Sequence, residues 1–170
     1  MAALSAAQTI SMRVLKSKPM NYKVANGITV YLNSIVGLAT VSYVPLTAAR
    51  GYAIPYANVA NIEYLGVAIG SPFSLSITNT VVGATSPGTG LVVPEVSVET
   101  GELILLGVTV TGVSAQSDLG RAVYLSTDNP NDLTVTSNNT PYVGEVERWI
   151  SSTTCDVRLF GRDAWIAQNA

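Results

Sequence analysis

The sequence predicts an all-β protein: a compact sandwich or barrel of short antiparallel strands, jelly-roll-like arrangements included, preceded by an extended N-terminal arm. Three observations carry this. Apolar and small polar residues alternate with period two in several short runs, which turns one face of each run toward a core. Between the runs lie clusters of Gly, Pro, Asn, Asp and Ser, residues that tolerate a positive φ or fix a turn. No run of ten or more residues has helical periodicity, and only residues 163–168 hint at a helical turn. The 170 residues are 48% hydrophobic and 12% charged, enough apolar material for a sizeable core.

Residues 1–23 are Ala/Ser-rich, then basic, then broken at Pro19, and read as an arm. The β pattern starts at Gly27-Ile28-Thr29-Val30-Tyr31-Leu32. It continues through Phe73-Ser74-Leu75-Ser76-Ile77-Thr78, Val96-Ser97-Val98 and Leu133-Thr134-Val135-Thr136, whose β-branched and hydroxyl side chains suit a pleated surface. Turn clusters separate the runs at residues 83–90, Thr100-Gly101, residues 128–132 and residues 137–141. Strands this short and this regularly spaced point to a sandwich or barrel. The expected organisation is an arm over 1–23 and a single β domain over 24–170. The alternative is a division into subunits 24–110 and 111–162 with a short C-terminal tail.

A weak internal repeat is visible. Residues 27–32 share Gly, Val, Tyr and Leu in register with Gly120-Arg121-Ala122-Val123-Tyr124-Leu125, and each is followed by a second similar element, Tyr64-Leu65-Gly66-Val67 or Tyr142-Val143-Gly144-Glu145. Duplication of a small β unit explains this slightly better than convergence on similar hairpins.

The chain has no histidine, which excludes Ser/His/Asp triads, Cys/His dyads and His-bearing metal sites. Its 9 Lys+Arg against 11 Asp+Glu give a net charge of −2, unlike a general nucleic-acid binder, whose affinity comes largely from neutralising phosphates. The charge is unevenly spread. Up to residue 62 there are five basic residues (Arg13, Lys16, Lys18, Lys23, Arg50) and no acidic one, hence +5; the remaining four basic and eleven acidic residues give −7. Arg13, Lys16, Lys18 and Lys23 precede the first strand-like run and form a candidate basic arm reaching toward an acidic partner. A solvated terminal segment is the equally weighted alternative.

Cys155 alternates in phase with Val157 and Leu159, so it reads as a small core residue without a disulfide partner. Residues 1–8 have no basic n-region and no apolar h-region, so cytoplasmic synthesis is expected. Residues 24–49 and 64–94 lack charge apart from Arg50 lying just beyond the first, yet both are interrupted by Pro, Gly and Asn and do not read as membrane spans.

Residues 83–90 resemble a phosphate-cradling loop but lack the Gly-Lys-Ser/Thr ending and a following helix, so they read as a surface loop. Asp128 and Asp132 flank Asn129-Pro130-Asn131, where proline replaces an oxygen ligand of a calcium loop. This reads as a turn. Glu145 and Glu147 fall on one face of a predicted strand and could act as a carboxylate pair on a glycoside. A solvated outer face neutralised by Arg148 or Arg158 is the preferred reading. Asn138-Asn139-Thr140 matches a glycosylation sequon, without a secretory context to give it weight. No metal or cofactor is expected. The aromatics Tyr31, Tyr43, Tyr52, Tyr56 and Trp149 are candidates for an oligomer interface, because large amphipathic rings contribute contact area at low entropic cost and interface cores avoid charge.

The run from Gly120 through Tyr124-Leu125-Ser126-Thr127, the turn at residues 128–132, Leu133-Thr134, then Pro141-Tyr142-Val143-Gly144-Glu145-Val146 and Val157-Arg158-Leu159 together resemble the closing module of tailed-bacteriophage capsid decoration (cement) proteins. The likeness covers residues 119–160, and more weakly 27–70. It implies a non-enzymatic virion component that oligomerises, often as a trimer, and binds the major capsid protein on the outer head surface to stabilise the shell. On that reading no nucleic acid, membrane or cofactor is involved. A receptor- or glycan-binding virion spike and a small self-assembling shell protein are the alternatives.

Overall fold

A computed structural model describes residues 10–24, 28–39, 51–55, 62–70, 80–82, 95–125, 132–137 and 142–169. The strands are β1 (Ser11–Lys16), β2 (Pro19–Lys23), β3 (Thr29–Tyr31), β4 (Ile35–Ala39), β5 (Ala53–Pro55), β6 (Ile62–Gly70), β7 (Thr80–Val82), β8 (Glu95–Glu99), β9 (Glu102–Thr111), β10 (Ala122–Leu125), β11 (Leu133–Thr134), β12 (Gly144–Ser151) and β13 (Thr154–Leu159). A single turn of 3₁₀-helix occupies Gln116–Asp118, and α1 (Arg162–Asn169) follows β13. The all-β expectation holds, and the helix falls where residues 163–168 hinted at one. The run at 73–78 and the turns at 83–90 and 128–131 lie outside the described residues.

The strands form two closed or nearly closed units. In the C-terminal unit β9 pairs with β11, β11 with β10, β10 with β12, β12 with β13, and β13 returns to β9, making a five-stranded barrel. All pairs are antiparallel except β11 with β9. The N-terminal unit is a five-stranded sheet in the order β2-β8-β6-β4-β5, whose two outer strands meet through one parallel bridge between Val24 and Ala53. Strands β3 and β7 pair separately, and β1 lies on β9.

The units have the same topology, and the agreement extends to individual register pairs. Strands β2, β4, β5, β6 and β8 correspond to β9, β10, β11, β12 and β13. The parallel pair Val24–Ala53 matches Val110–Leu133. The cross-strand pairs Val36–Gly66 and Leu38–Ala53 match Val123–Gly144 and Leu125–Leu133. Val67–Glu99, Ala68–Val98 and Gly70–Ser97 match Glu145–Arg158, Val146–Val157 and Arg148–Asp156, with the same one-residue bulge falling at Ile69 in β6 and Glu147 in β12. A β-bulge is a specific local device, so its recurrence at one topological position marks a duplication.

The interiors correspond too. Val24, Val36, Ala53, Leu65, Ala68, Val96 and Val98 fill the N-terminal unit, and Val110, Val123, Leu133, Val143, Val146, Cys155 and Val157 are buried at the equivalent positions of the other. The repeat in the sequence is therefore real but half misaligned. Residues 64–67 and 142–145 are true counterparts, whereas the counterpart of Val123-Tyr124-Leu125 is Val36-Gly37-Leu38 in β4, and residues 29–31 form the extra strand β3.

Two features correct the expected organisation. Residues 11–23 are extended, but they belong to the barrels as edge strands and do not precede them as an arm: β1 pairs with β9 from Ser11 to Lys16, and β2 pairs with β8 from Pro19 to Lys23. Their side chains are exposed except for the half-buried Met12 and Tyr22, so no alternation of buried residues announces them. The division between units falls at Thr100-Gly101, because β9 opens the second barrel as β2 opens the first. The C-terminal tail is a clasp: Trp165 of α1 is buried, and its ring lies 6.0 Å from that of Tyr64 on the outer side of the N-terminal unit.

Candidate docking edge

The chain crosses between the units twice, at Ser17-Lys18 and at Thr100-Gly101, and the crossings are tied together. The buried Glu99 carboxylate accepts hydrogen bonds from Ser17 Oγ (2.9 Å), Lys18 N (2.5 Å) and Gly101 N (2.9 Å). The Thr100 hydroxyl donates to Lys18 O at 2.6 Å, and Thr100 N donates to the same oxygen. Gly101 allows this approach: a Cβ there would lie 1.6 Å from Lys16 O. From the other side, Arg162 N donates to Thr100 O (2.9 Å), Arg162 Nη2 reaches Glu63 at 3.3 Å, and Lys18 Nζ pairs with Asp163 at 2.8 Å. The Lys18 ammonium lowers the Asp163 pKa, first by its hydrogen bond and then by its charge.

This junction fixes the course of β1 and β2, and with it the four basic residues singled out in the sequence. Arg13 stands opposite Ile104, Lys16 opposite Glu102 and Lys23 opposite Glu95. Glu102 itself bonds to Arg158, a contact that raises the guanidinium pKa. Arg13, Lys16 and Lys23 make no ion pair with a described residue, and Lys18 is engaged by Asp163. Val14 (42% exposed), Leu15 (46%) and Met20 (42%) lie among them. The edge strands β1 and β2 thus carry basic and exposed apolar side chains along residues 11–23. Such an edge offers backbone hydrogen-bonding groups to an incoming strand.

The described aromatic candidates sit on or beside three different elements. Tyr31 lies on β3; Tyr52 precedes β5 and Trp149 lies on β12, each half-buried against the core. Trp149 Nε1 donates to Ser152 O at 3.1 Å. Tyr43 and Tyr56 lie outside the described residues. Glu145 faces Arg158, and the bulge at Glu147 breaks the simple two-residue alternation expected for the pair. Arg148 bonds instead to Asp156, at 2.8 Å. Cys155 is fully buried, and burial, with Asp156 and Asp118 adding to it, pushes its thiol up to about 11, as a structural cysteine requires. Among the described residues no group of three or more Cys, Asp or Glu is placed to hold a metal ion, and no helix is long and apolar enough to cross a membrane.

Glu99 and Thr100 went unnoticed in the sequence because Thr100-Gly101 reads as an ordinary hairpin turn. In Glu95-Val96-Ser97-Val98-Glu99 the alternation places Glu99 on the polar face of the strand, so no sequence signal announced its burial. Comparison with family models, curated proteins and solved structures finds no match to this chain.

Proposed function

We propose that this chain is a non-enzymatic structural protein of a virion, which binds the outer surface of a tailed-bacteriophage head through its major capsid protein and stabilises the shell. The observation that carries the reading is the set of basic and exposed apolar side chains along residues 11–23, carried on edge strands of two units tied together by hydrogen bonds at Glu99 and Thr100. A protein that works by surface complementarity needs such a preorganised surface, since rigid elements lose little entropy on docking. The likeness of residues 119–160 to decoration proteins supplies the identity of the surface.

On this reading the edge strands meet the shell, and Tyr31, Tyr52 and Trp149 contribute to a homotrimer. The test is a variant with Arg13, Lys16 and Lys23 all changed to Gln, mixed with undecorated heads. All three are exposed, so the fold is expected to survive and head binding to weaken at least tenfold. Undiminished decoration by the folded variant contradicts the assignment of residues 11–23.

A further inference from the structure

The two barrels repeat one design but differ at one edge. On the side of β9 away from β13, β1 lies in register, with Met12 opposite Leu105 and Arg13 opposite Ile104. Leu105 and Ile104 correspond to Met20 and Pro19, because they face Val157 and Arg158 where Met20 and Pro19 face Val98 and Glu99. On the equivalent side of β2, no described strand pairs with it before the Val24–Ala53 bridge. Pro19, Met20, Asn21 and Lys23 are exposed there. Among the described residues, no strand takes beside β2 the place that β1 takes beside β9.

We propose that this edge of β2, which no described strand covers, is a docking site for a strand of another polypeptide, an extended segment alternating apolar and acidic residues. An unpaired edge presents N–H and C=O groups that an added strand satisfies, which supplies affinity, while the flanking side chains supply specificity. Pro19, at the first position, withholds one donor and confines pairing to the residues from Met20 onward.

The faces of β2 define the side chains of the occupant. Tyr22 packs against the interior of the N-terminal unit, and its hydroxyl donates to Met20 Sδ at 3.6 Å, so Met20 and Tyr22 present an apolar face. Asn21, which accepts from Ser97 Oγ at 2.8 Å, and Lys23 occupy the other face. An apolar residue beside Met20 and a carboxylate beside Lys23 satisfy both, since opposite charges on adjacent strands stabilise and like charges destabilise. The same rule excludes a second copy of this segment: residues 11–23 carry four basic residues and no acidic one. The proposal requires only the duplicated fold and holds for any particle or partner that supplies such a strand.

The test is amide hydrogen exchange on the full chain, with a ten-residue peptide alternating valine and glutamate as the probe and one alternating valine and lysine as the control. It uses no heads, so its outcome is independent of the function proposed above. The glutamate peptide is expected to slow exchange of alternate amides among residues 20–23 at least tenfold, leaving those of β13 unchanged. Lys23→Gln is expected to weaken that peptide's binding about threefold to tenfold, with the fold intact because Lys23 is exposed. Absence of slowing, equal slowing by the lysine peptide, or protection that rises with protein concentration alone each overturns the proposal.

Discussion

Glu99 and Lys18 join the two barrels: the Glu99 carboxylate accepts the Lys18 backbone N–H at 2.5 Å, across 81 residues of sequence. The same carboxylate takes the Ser17 hydroxyl and the Gly101 amide, so one buried side chain satisfies three donors where the chain passes between the units. Removing it leaves those donors in a buried site, each costing about 1–3 kcal/mol if unmatched. Glu99→Ala is therefore expected to destabilise the protein by about 3 kcal/mol or more in urea unfolding. Glu99→Gln, which keeps an acceptor, is expected to cost about 1 kcal/mol. Equal stabilities for the two variants would show that the carboxylate merely fills space.

The duplication predicts that equivalent glycines respond alike. A Cβ at Gly66 would lie 1.9 Å from Glu99 O, and one at the equivalent Gly144 would lie 2.2 Å from Arg158 O. Gly66 also has φ +151°, a conformation side chains rarely adopt. Both alanine variants must move backbone, and a loss of about 3 kcal/mol each is the expected size of such a clash. Gly70→Ala, which meets nothing within 4 Å, serves as the control. Stability changes below about 0.5 kcal/mol at Gly66 or Gly144 are those of unremarkable surface sites and would contradict the close approach.

Acid sensitivity is expected from Asp118. Its carboxylate bonds Arg121 Nη1 at 2.7 Å and accepts Ser114 N and Ala115 N, which together hold its pKa at about 2, below the ordinary 3.8. A depressed folded pKa means that the unfolded chain binds the proton first as pH falls. The contribution is complete above the unfolded value and is lost between about pH 4 and pH 2. In Asp118→Asn the urea midpoint should fall less steeply across that window than in the parent. Identical slopes would exclude Asp118 as a source of the acid dependence.

The clasp formed by α1 is expected to stabilise the N-terminal unit from a distance in sequence. Trp165 is 7% exposed and packs on Tyr64, and truncating a buried tryptophan to alanine costs about 3–5 kcal/mol. Trp165→Ala should loosen amides of β6 as well as those of α1, read by hydrogen exchange. Protection of β6 unchanged from the parent would show that the helix contributes nothing to the other unit.

The fold class and half of the repeat were legible because alternation survives wherever one face of a strand is buried, as in Val96-Ser97-Val98 and in Cys155 to Leu159. Tyr64-Leu65-Gly66-Val67 and Tyr142-Val143-Gly144-Glu145 aligned correctly because each glycine is required by a backbone approach. Strands β1 and β2 were hidden for the opposite reason. Only Met12 and Tyr22 among their residues are even half-buried, too few for an alternation, so Arg13, Lys16, Lys18 and Lys23 looked like an arm although backbone pairing fixes β1 and β2 in the sheets. Strand β4 was missed because Gly37 interrupts its apolar run, while Thr29-Val30-Tyr31 nearby alternates better. That Tyr52 and Trp149 pack half-buried against the core was not legible, since alternation does not say how deeply a ring on or beside a strand is covered.

The most direct test of the proposed function is sedimentation of the purified protein, alone and then with undecorated heads of its source phage. A discrete small oligomer that co-sediments with heads and saturates at a fixed number of copies per capsid subunit is the predicted result. A protein that stays in the supernatant at every concentration of heads would contradict the account, as would large particles formed by the protein alone.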